Sequence, residues 1–541
     1  MPRNYHLRTV PMFRFLSLIM ALAVVTTRQR LVADEAVPIT VNVTLGAATA
    51  EQPLSGRLFV YCSRKTSGEP RLGPDWFSPE PFFAVEVNNF KPGLTRVVDD
   101  RADAFPEPLS SLAKGKYRVQ ALLDQDLDSH HPAYGAGNVY SSVKEWRLDE
   151  SPSVDLVLDH VVAPRKFQET AWLKEVSVES KLLSEFHERP IRHQAAVVLP
   201  ASYERELGRR YPVLYIIPGF GGTHYDAARM YPTGAPTAEE GEAEFIRVLL
   251  SGDCKWGHHV FADSETNGPR GAALVRELVP YIDATYRTVA APTARFISGH
   301  SSGGWSSLWV QVNYAETFGG VWSTAPDPVD FHDWQQVDLY ANPPLSLYYD
   351  EQGDRRPIAR LQGKPVLWYA SFGRMDDVLG RGGQLRSFEA VFSPLDENGL
   401  PQKLWDRETG KVDADVVQAW SKYDISRMLK RDWLSLEPKL RGKLHVYVGS
   451  LDTFYLDGAV HRLADTVKEL GSDAEVVVVP GKNHSDLLSQ DLRHKIIRQM
   501  SQRFLAVHGG PAEGRTEQKR SGAAARRRVG QKPRRMPATA R

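Results

Sequence analysis

Short runs of β-prone residues dominate the first part of the chain after an N-terminal apolar segment. The runs at 39–44, 56–61, 117–123 and 154–158 are rich in Val, Leu, Thr and aromatic residues, and apolar and polar positions tend to alternate in them. Such alternation is typical of strands that bury one face, and the proline- and glycine-rich breaks between the runs indicate turns. The pattern predicts an antiparallel β-sandwich-like domain at residues 37–162.

A second pattern begins after a linker-like stretch at 163–172. Continuous apolar runs, typical of strands buried on both faces, alternate with segments whose apolar residues recur every three or four positions, as in helices. The predicted strands lie at 176–180, 193–199, 211–217, 258–262, 295–298, 320–323, 443–448 and 474–479, and the predicted helices lie at 271–286, from Trp305 onward and at 460–470. This alternation predicts an α/β domain at 173–508, with a doubly wound and mostly parallel sheet.

The alternation weakens between about residue 327 and residue 441. This stretch is rich in Trp, Tyr, Pro and charged residues. Its length and composition predict a lid-like insertion within the α/β domain, which we call the insertion below.

The first residues have the organisation of an export signal. Three arginines, at positions 3, 8 and 14, precede an apolar run at 15–25. That run has the length of the hydrophobic core of a signal peptide and is too short for a comfortable membrane span. We therefore expect a signal peptide at 1–33, cleaved after Ala23 or nearer Ala33, and a secreted or periplasmic protein without a stable membrane span. An uncleaved membrane anchor is the alternative.

Net charge is distributed unevenly along the chain. The whole chain carries a formal charge of +1, but residues 514–541 contain ten Lys and Arg residues against one Glu. The remainder is therefore mildly acidic, which argues against nucleic-acid binding by the folded part. The Arg-, Ala-, Gly- and Pro-rich composition of 514–541 predicts a disordered basic tail.

No metal or cofactor motif is complete. The two cysteines, Cys62 and Cys254, exclude a disulfide scaffold and a multi-cysteine zinc site. The stretch 124–128 begins like a calcium loop but lacks the glycine at position six and the glutamate at position twelve. His258 and His259 begin the predicted strand at 258–262, where histidines usually face substrate or support the structure. The sequence predicts neither a metal nor a cofactor.

One short motif carries the strongest chemical signal. Residues 299–303 read Gly-His-Ser-Ser-Gly, which matches G-x-S-x-G, and they lie between a predicted strand and a predicted helix. In that setting the central serine occupies a strained backbone position at the carboxyl edge of the sheet, and small neighbours allow the strand and helix to approach. The motif predicts that Ser301 is a catalytic nucleophile.

Two further loops supply the partners that such a serine needs. A serine hydroxyl requires a base to take its proton and an acid to orient that base, in the order serine, acid, histidine. Asp452 directly follows the strand at 443–448, and His484 follows the strand at 474–479. We predict that Asp452 is the acid and His484 the base. Asp457, Asp376 and Asp377 remain alternatives for the acid.

An oxyanion formed during ester cleavage needs two hydrogen-bond donors. One predicted donor is the backbone N–H of Ser302, the residue after the nucleophile. The other is expected in the glycine-rich turn 218–222, which follows the strand at 211–217, and Phe220 is the residue that we select there.

Together these residues resemble the "Putative esterase" family of α/β hydrolases, which includes esterase D, S-formylglutathione hydrolase, feruloyl esterase and enterochelin esterase relatives. The likeness covers about residues 176–507 and includes the turn 218–222 and the stretch 277–283. Many relatives have His-Gly where this chain has Pro218, which leaves the backbone donor in place but removes any role of that histidine. The resemblance implies an α/β-hydrolase fold and hydrolysis of carboxylic esters without metal or organic cofactor. Several relatives carry an N-terminal β-sandwich.

The leading functional prediction is a secreted serine esterase acting on a small-molecule or glycan-linked ester. A serine peptidase or an acyltransferase on the same fold is one alternative. A non-catalytic carbohydrate-binding protein of the cell surface, using the β domain and the Trp- and Tyr-rich insertion, is another. Substrates of the resembling family range from siderophore esters to plant-wall esters, so the resemblance selects none of them.

Overall fold

Within residues 38–509, which the computed structural model describes, nine strands form the N-terminal sheet. The predicted signal peptide at 1–33 and basic tail at 514–541 lie outside the described residues. Most neighbouring strands pair antiparallel, whereas β1 and β9 are parallel, and β8 branches from β6. The strands are β1 (Thr40–Leu45), β2 (Leu54–Ser63), β3 (Phe82–Phe90), β4 (Thr95–Val98), β5 (Asp103–Phe105), β6 (Lys116–Asp124), β7 (Val139–Ser141), β8 (Lys144–Arg147) and β9 (Ser153–Val161).

The two faces of this sheet are both apolar, but they serve different contacts. On one face, Leu58 and Val60 join a core made of residues from β1, β2, β3, β6, β8 and β9, so the sheet curls over its own side chains. On the other face, Phe59 and Tyr61 belong to the core of the α/β domain. The prediction of β structure in this part of the chain holds, but the strands form one continuous hydrogen-bonded sheet where two packed sheets were expected.

The central sheet of the described chain has eight strands in the order β10-β11-β13-β12-β18-β19-β22-β23. Neighbours from β13 to β23 are parallel, and β10 and β11 add an antiparallel edge. The remaining strands of residues 38–509 form three two-stranded ribbons. The strands are β10 (Leu173–Glu179), β11 (Arg192–Val198), β12 (Val213–Ile217), β13 (Ile246–Leu250), β14 (Asp253–Cys254), β15 (Gly257–His258), β16 (Asp263–Ser264), β17 (Gly268–Pro269), β18 (Arg295–His300), β19 (Val321–Thr324), β20 (Pro357–Leu361), β21 (Lys364–Trp368), β22 (Leu444–Gly449) and β23 (Glu475–Val479).

Helices pack on both faces of the central sheet. Successive residues of a strand point to opposite faces, so two neighbouring residues contact different helices. Ile297 of β18 packs in the same core as residues of α4, α5 and α10, whereas its neighbour Phe296 packs with Ile496 and Met500 of α11. The helices are α1 (Lys181–His187), α2 (Asp226–Met230), α3 (Arg270–Ala273), α4 (Val279–Thr285), α5 (Ser302–Asn313), α6 (Tyr369–Leu379), α7 (Gln384–Phe392), α8 (Ala414–Trp420), α9 (Ile425–Leu440), α10 (Asp457–Glu469) and α11 (Gln490–His508).

One predicted strand is wrong. The run 258–262 is irregular apart from the last residue of β15, and Val260 and Phe261 have positive φ angles of 45° and 52°. The sheet uses β13 instead, whose residues 246–250 were not predicted to form a strand. The predicted helix at 271–286 is present as α3 and α4, joined by a π-helical segment at Leu274–Leu278.

The insertion contains the β20–β21 ribbon and helices α6 to α9, and it touches the N-terminal sheet. The Arg57 guanidinium donates to the Val378 carbonyl oxygen at 2.8 and 3.1 Å, and Arg374 Nε donates to the Ala104 carbonyl at 3.2 Å. These bonds, together with the shared apolar core, fix the insertion against the β domain.

Candidate active site

Ser301 lies on a sharp turn between β18 and α5. Its φ and ψ angles are 60° and −125°, a combination that is strained for a residue with a side chain. The flanking glycines make the turn possible. A Cβ atom on Gly299 would lie 2.0 Å from the Gly303 carbonyl oxygen, and one on Gly303 would lie 2.1 Å from the Ile217 carbonyl oxygen. The motif is therefore a steric requirement of the close contact between α5, β18 and β12.

His484 and Asp452 are hydrogen-bonded at the same edge of the sheet. Asp452 follows β22 and is fully buried, and His484 follows β23. The His484 Nδ1 atom is 2.8 Å from Asp452 Oδ2, and Asp452 Oδ1 accepts the Phe454 backbone N–H at 2.9 Å. Because Nδ1 faces a carboxylate, we assign the ring proton to Nδ1, which leaves Nε2 free to act as a base.

The other candidate carboxylates are engaged elsewhere. Asp457 pairs with the Arg360 guanidinium at 2.8 Å, and Asp377 pairs with Arg407 at 3.1 Å. Asp376 Oδ2 accepts backbone N–H groups from the first turn of α7, and burial raises its pKa to about 7. Among the described residues, none of the three is hydrogen-bonded to the imidazole that binds Asp452.

Two backbone N–H groups beside Ser301 are available to a ligand. Within residues 38–509, the N–H of Ser302, at the start of α5, and the N–H of Phe220, in the turn after β12, have no backbone acceptor. Phe220 and Ser301 border the same cavity. A helix N-terminus is also a region of positive potential, which favours a developing negative charge there.

His258 supports the turn that carries Phe220. Its Nδ1 atom accepts the Val260 N–H at 3.0 Å, so its Nε2–H donates to the Pro218 carbonyl oxygen at 3.0 Å. Burial lowers the His258 pKa to about 4, which keeps the ring neutral and this donor assignment stable. His259 is also buried, and its Nδ1 atom accepts a backbone N–H at 3.2 Å. Both histidines therefore bind backbone groups.

His300 lies beside the candidate base. The centres of the His300 and His484 rings are 4.6 Å apart. Burial lowers the His300 pKa to about 3, and the neighbouring His484 acts in the same direction. His300 therefore stays neutral and adds no second positive charge when the His484 ring takes up a proton.

Ser301, His484 and Phe220 border a cavity of about 270 Å³, which we call the Ser301 cavity. In the described part of the chain, the Ser301 hydroxyl and the His484 ring are not hydrogen-bonded to each other. Hydrogen bonds between catalytic groups often shorten only when substrate binds. The walls are mainly apolar and aromatic, and they are formed by Trp76, Gly219, Phe220, His300, Ser301, Asp327, Pro328, Gln335, Ile358, Leu367, Phe372, Gln384, Leu385, Phe388, Phe454 and His484.

Among the cavity residues that were not predicted from the sequence are Asp327, Gln384 and Trp76, which have polar or aromatic side chains. Asp327 lies just after β19, at the sheet edge where the other candidates lie, and that position was a usable signal. Gln384 starts α7 within the insertion, and Trp76 comes from the N-terminal β domain. No local pattern links either of these two to Ser301, because the connection arises from packing between distant segments.

The structure also bears on cysteine chemistry, metals and membranes. Cys62 and Cys254 are both buried and unbridged. Residues 38–509 contain no group of three or more His, Cys, Asp or Glu side chains arranged to hold a metal ion. No helix in that part of the chain is long and apolar enough to cross a membrane.

A mixed α/β sheet with a serine on a strand-to-helix turn, beside a hydrogen-bonded histidine and carboxylate, defines the class of α/β-hydrolase-type enzymes. Residues 188–485 match the family model described as "Putative esterase". Because this match covers more than half of the 541 residues, the chain belongs to that family.

Individual relatives are more distant. The chain is 33% identical over 120 residues to "Esterase MT1326" and "Esterase Rv1288" of Mycobacterium tuberculosis, a match that covers 22% of this chain and 25% of each relative. It thus spans about a quarter of those curated relatives. Among solved structures, a ferulic acid esterase is similar with a TM-score of 0.38 and 15% identity, over 63% of this chain and 100% of that one. An S-formylglutathione hydrolase from Agrobacterium tumefaciens has a TM-score of 0.37 and 14% identity, over 62% and 98%.

Proposed function

We propose that the protein is a secreted serine esterase that hydrolyses carboxylic esters through a covalent acyl-enzyme. Ser301 is the nucleophile, His484 the general base and acid, and Asp452 the residue that orients His484. The backbone N–H groups of Phe220 and Ser302 form the oxyanion hole. Export rests on the signal-like sequence of residues 1–33.

The reaction proceeds in two halves. As Ser301 Oγ attacks the ester carbonyl carbon, His484 Nε2 takes the hydroxyl proton, and the negative charge on the carbonyl oxygen is held by the two N–H groups. The ester C–O bond then breaks as the imidazolium gives its proton to the leaving oxygen, so the alcohol departs and the acyl-enzyme remains. In the second half, His484 takes a proton from water as the water oxygen attacks the acyl carbon. The bond from that carbon to Ser301 Oγ then breaks as the imidazolium returns the proton to Oγ, which releases the carboxylic acid and regenerates Ser301. Asp452 stabilises the imidazolium in both halves.

The observation that carries this proposal is the Asp452–His484 hydrogen bond, together with the position of His484 and Ser301 on the wall of one apolar cavity. A buried carboxylate orients the imidazole and fixes its tautomer, and the imidazole needs a nucleophile within reach to act on. The apolar walls favour an uncharged acyl or alcohol group. A small-molecule ester or an ester carried on a glycan has that character.

Labelling of the purified protein with a fluorophosphonate probe tests the proposal. We expect one equivalent of probe on the peptide that contains Ser301, and loss of p-nitrophenyl acetate and butyrate hydrolysis in proportion to labelling. Retained hydrolysis after complete labelling, or a label on another serine, would contradict it. Peptide substrates and added alcohol acceptors, with product analysis, separate hydrolysis of esters from peptidase and acyltransferase activity.

The N-terminal β domain completes the cavity in this proposal, and the insertion covers it as a lid. The Trp76 ring packs edge-on against Phe372 of the insertion, with ring centres 5.0 Å apart. It also lies 5.6 Å from Phe220 and 6.2 Å from Phe454. The indole therefore fills the space between the turn 218–222, the insertion and the loop after β22. In this position it limits the size of the bound group.

Trp76→Ala is therefore expected to shift preference toward larger acyl groups. The ratio of kcat/KM for p-nitrophenyl octanoate to that for p-nitrophenyl acetate should rise at least about fivefold, since each additional buried methylene contributes about 0.8 kcal/mol. Phe77→Ala is the matched control, because Phe77 is the next residue, is exposed and does not border the cavity. An equal change in both variants would argue against a role of Trp76 in substrate size.

A further inference from the structure

The peptide unit between Ser301 and Ser302 is held firmly on its carbonyl side. The Ser301 carbonyl oxygen accepts the N–H of Gly304 at 2.8 Å and that of Trp305 at 3.1 Å, both within the first turn of α5. It also accepts the backbone N–H of Asp327 at 3.2 Å. The N–H at the other end of this peptide unit, on Ser302, is a proposed oxyanion donor, so the orientation of the unit decides where that donor points.

The side chain of Asp327 holds the Ser302 end of the same unit. The Ser302 hydroxyl donates to Asp327 Oδ2 at 2.5 Å, and the same Oγ atom accepts from Gln384 Nε2 at 3.2 Å. Asp327 thus contacts the carbonyl end through its backbone N–H and the Ser302 end through its carboxylate. We call this arrangement the Asp327 tether.

The Asp327 carboxylate is buried, and His484 and Asp452 both influence it. Asp327 is 7% exposed, and burial raises its pKa to about 6. The Ser302 hydrogen bond and the nearby His484 lower the pKa, while Asp452 raises it. At pH 8 Asp327 is therefore ionised, and a hydrogen bond from a hydroxyl to an ionised carboxylate is stronger than one between neutral groups.

We propose that Asp327 is a positioning residue for the oxyanion hole, acting through the Ser302 hydroxyl to aim the Ser302 N–H at the developing charge. The inference rests on the proposed function and deepens it. Hydrogen bonds weaken steeply when the donor angle departs from linear, so a small rotation of this peptide unit weakens the bond to the oxyanion. Asp327 needs no contact with substrate for this role, although it borders the cavity.

A double-mutant cycle at pH 8 tests the tether, with Ser302→Ala, Asp327→Ala and the combined variant assayed on p-nitrophenyl acetate. Ser302→Ala keeps the backbone donor and removes only the hydroxyl. We expect each single change to lower kcat about tenfold, the scale of one hydrogen bond to a charged group, with KM changed less than about twofold. The combined variant should lose no more than the larger single loss, because both changes break the same bond.

Two further variants make the result specific. Ser307→Ala removes another buried hydroxyl of α5, one that donates to the Gly304 carbonyl at 2.9 Å, and it should keep the wild-type kcat. Asp327→Asn keeps the side-chain volume and an acceptor oxygen, and it should recover part of the loss seen in Asp327→Ala. Thermal midpoints near the wild-type value verify that each variant is folded.

Several results would overturn the tether. Losses that multiply in the combined variant, or a raised KM in Asp327→Ala alone, would mean that Asp327 contacts substrate directly. A wild-type kcat in Ser302→Ala would mean that the hydroxyl does not position the Ser302 N–H. Labelling of Ser301 in the wild-type protein reports on the proposed esterase separately, so it can succeed while the tether fails.

Discussion

Ser301→Ala is expected to lower kcat for p-nitrophenyl acetate by at least about 10⁴-fold, because no acyl-enzyme can form without the hydroxyl. The strained turn and the two N–H groups beside it remain, since alanine is smaller than serine and the glycines on either side are unchanged. Any residual rate should come from the oxyanion hole acting on attack by water. Steady-state kinetics of the wild type and Ser301→Ala, purified in the same way, measure the difference in kcat.

The variant should remain folded, so its thermal midpoint should stay near that of the wild-type protein. Ser307→Ala serves again as the control, because it removes a hydroxyl from the same helix without touching the cavity. Similar rates of ester hydrolysis by Ser301→Ala and wild type would disprove the assignment of Ser301 as the nucleophile. The protein would then be an esterase that uses a different nucleophile.

The residues of the candidate site that could be predicted are those with local signals. Gly299 and Gly303 are required by contacts of 2.0 and 2.1 Å that any Cβ would make, so the strand-turn-helix of Ser301 is encoded within five residues. Asp452 and His484 each follow a strand with a strong apolar pattern. Since parallel strands end at one sheet edge, order along the chain was enough to suggest their meeting, and the 2.8 Å bond joins them.

Long-range packing accounts for what the sequence did not predict. Trp76 reaches the Ser301 cavity because Phe59 and Tyr61, on the outward face of β2, pack into the core of the α/β domain. Alternation predicts that a strand has two faces, but it does not specify what covers the second one. Gln384 likewise reaches the Ser302 hydroxyl only because the helices of the insertion bring it there.

The misplaced strand has a local explanation. The run at 258–262 is buried although it is not a regular strand, and its two histidines bind backbone groups, His258 the Pro218 carbonyl and His259 the Phe261 N–H. Burial without strand pairing produces the same composition as a central strand, and periodicity over five residues cannot separate the two. The positive φ angles of Val260 and Phe261 exclude a regular strand there.

Asp452→Asn is expected to lower kcat about 10⁴-fold, because an amide in place of the carboxylate favours the wrong imidazole tautomer and does not stabilise the imidazolium. The change keeps the side-chain volume and an oxygen for the Phe454 N–H, so the loop after β22 should keep its shape. KM should change much less than kcat, since Asp452 is fully buried and does not border the cavity.

Asp457→Asn is the matched comparison, since Asp457 lies on α10 five positions later and pairs with Arg360 at 2.8 Å. Its kcat should fall less than about tenfold, because the affected ion pair lies outside the cavity and does not touch His484. The two variants thus separate an acid that orients the base from an acid that only braces the loop. A reversed ranking, with Asp457→Asn nearly inactive and Asp452→Asn active, would transfer the orienting role to Asp457 and require His484 to turn away from the carboxylate it binds.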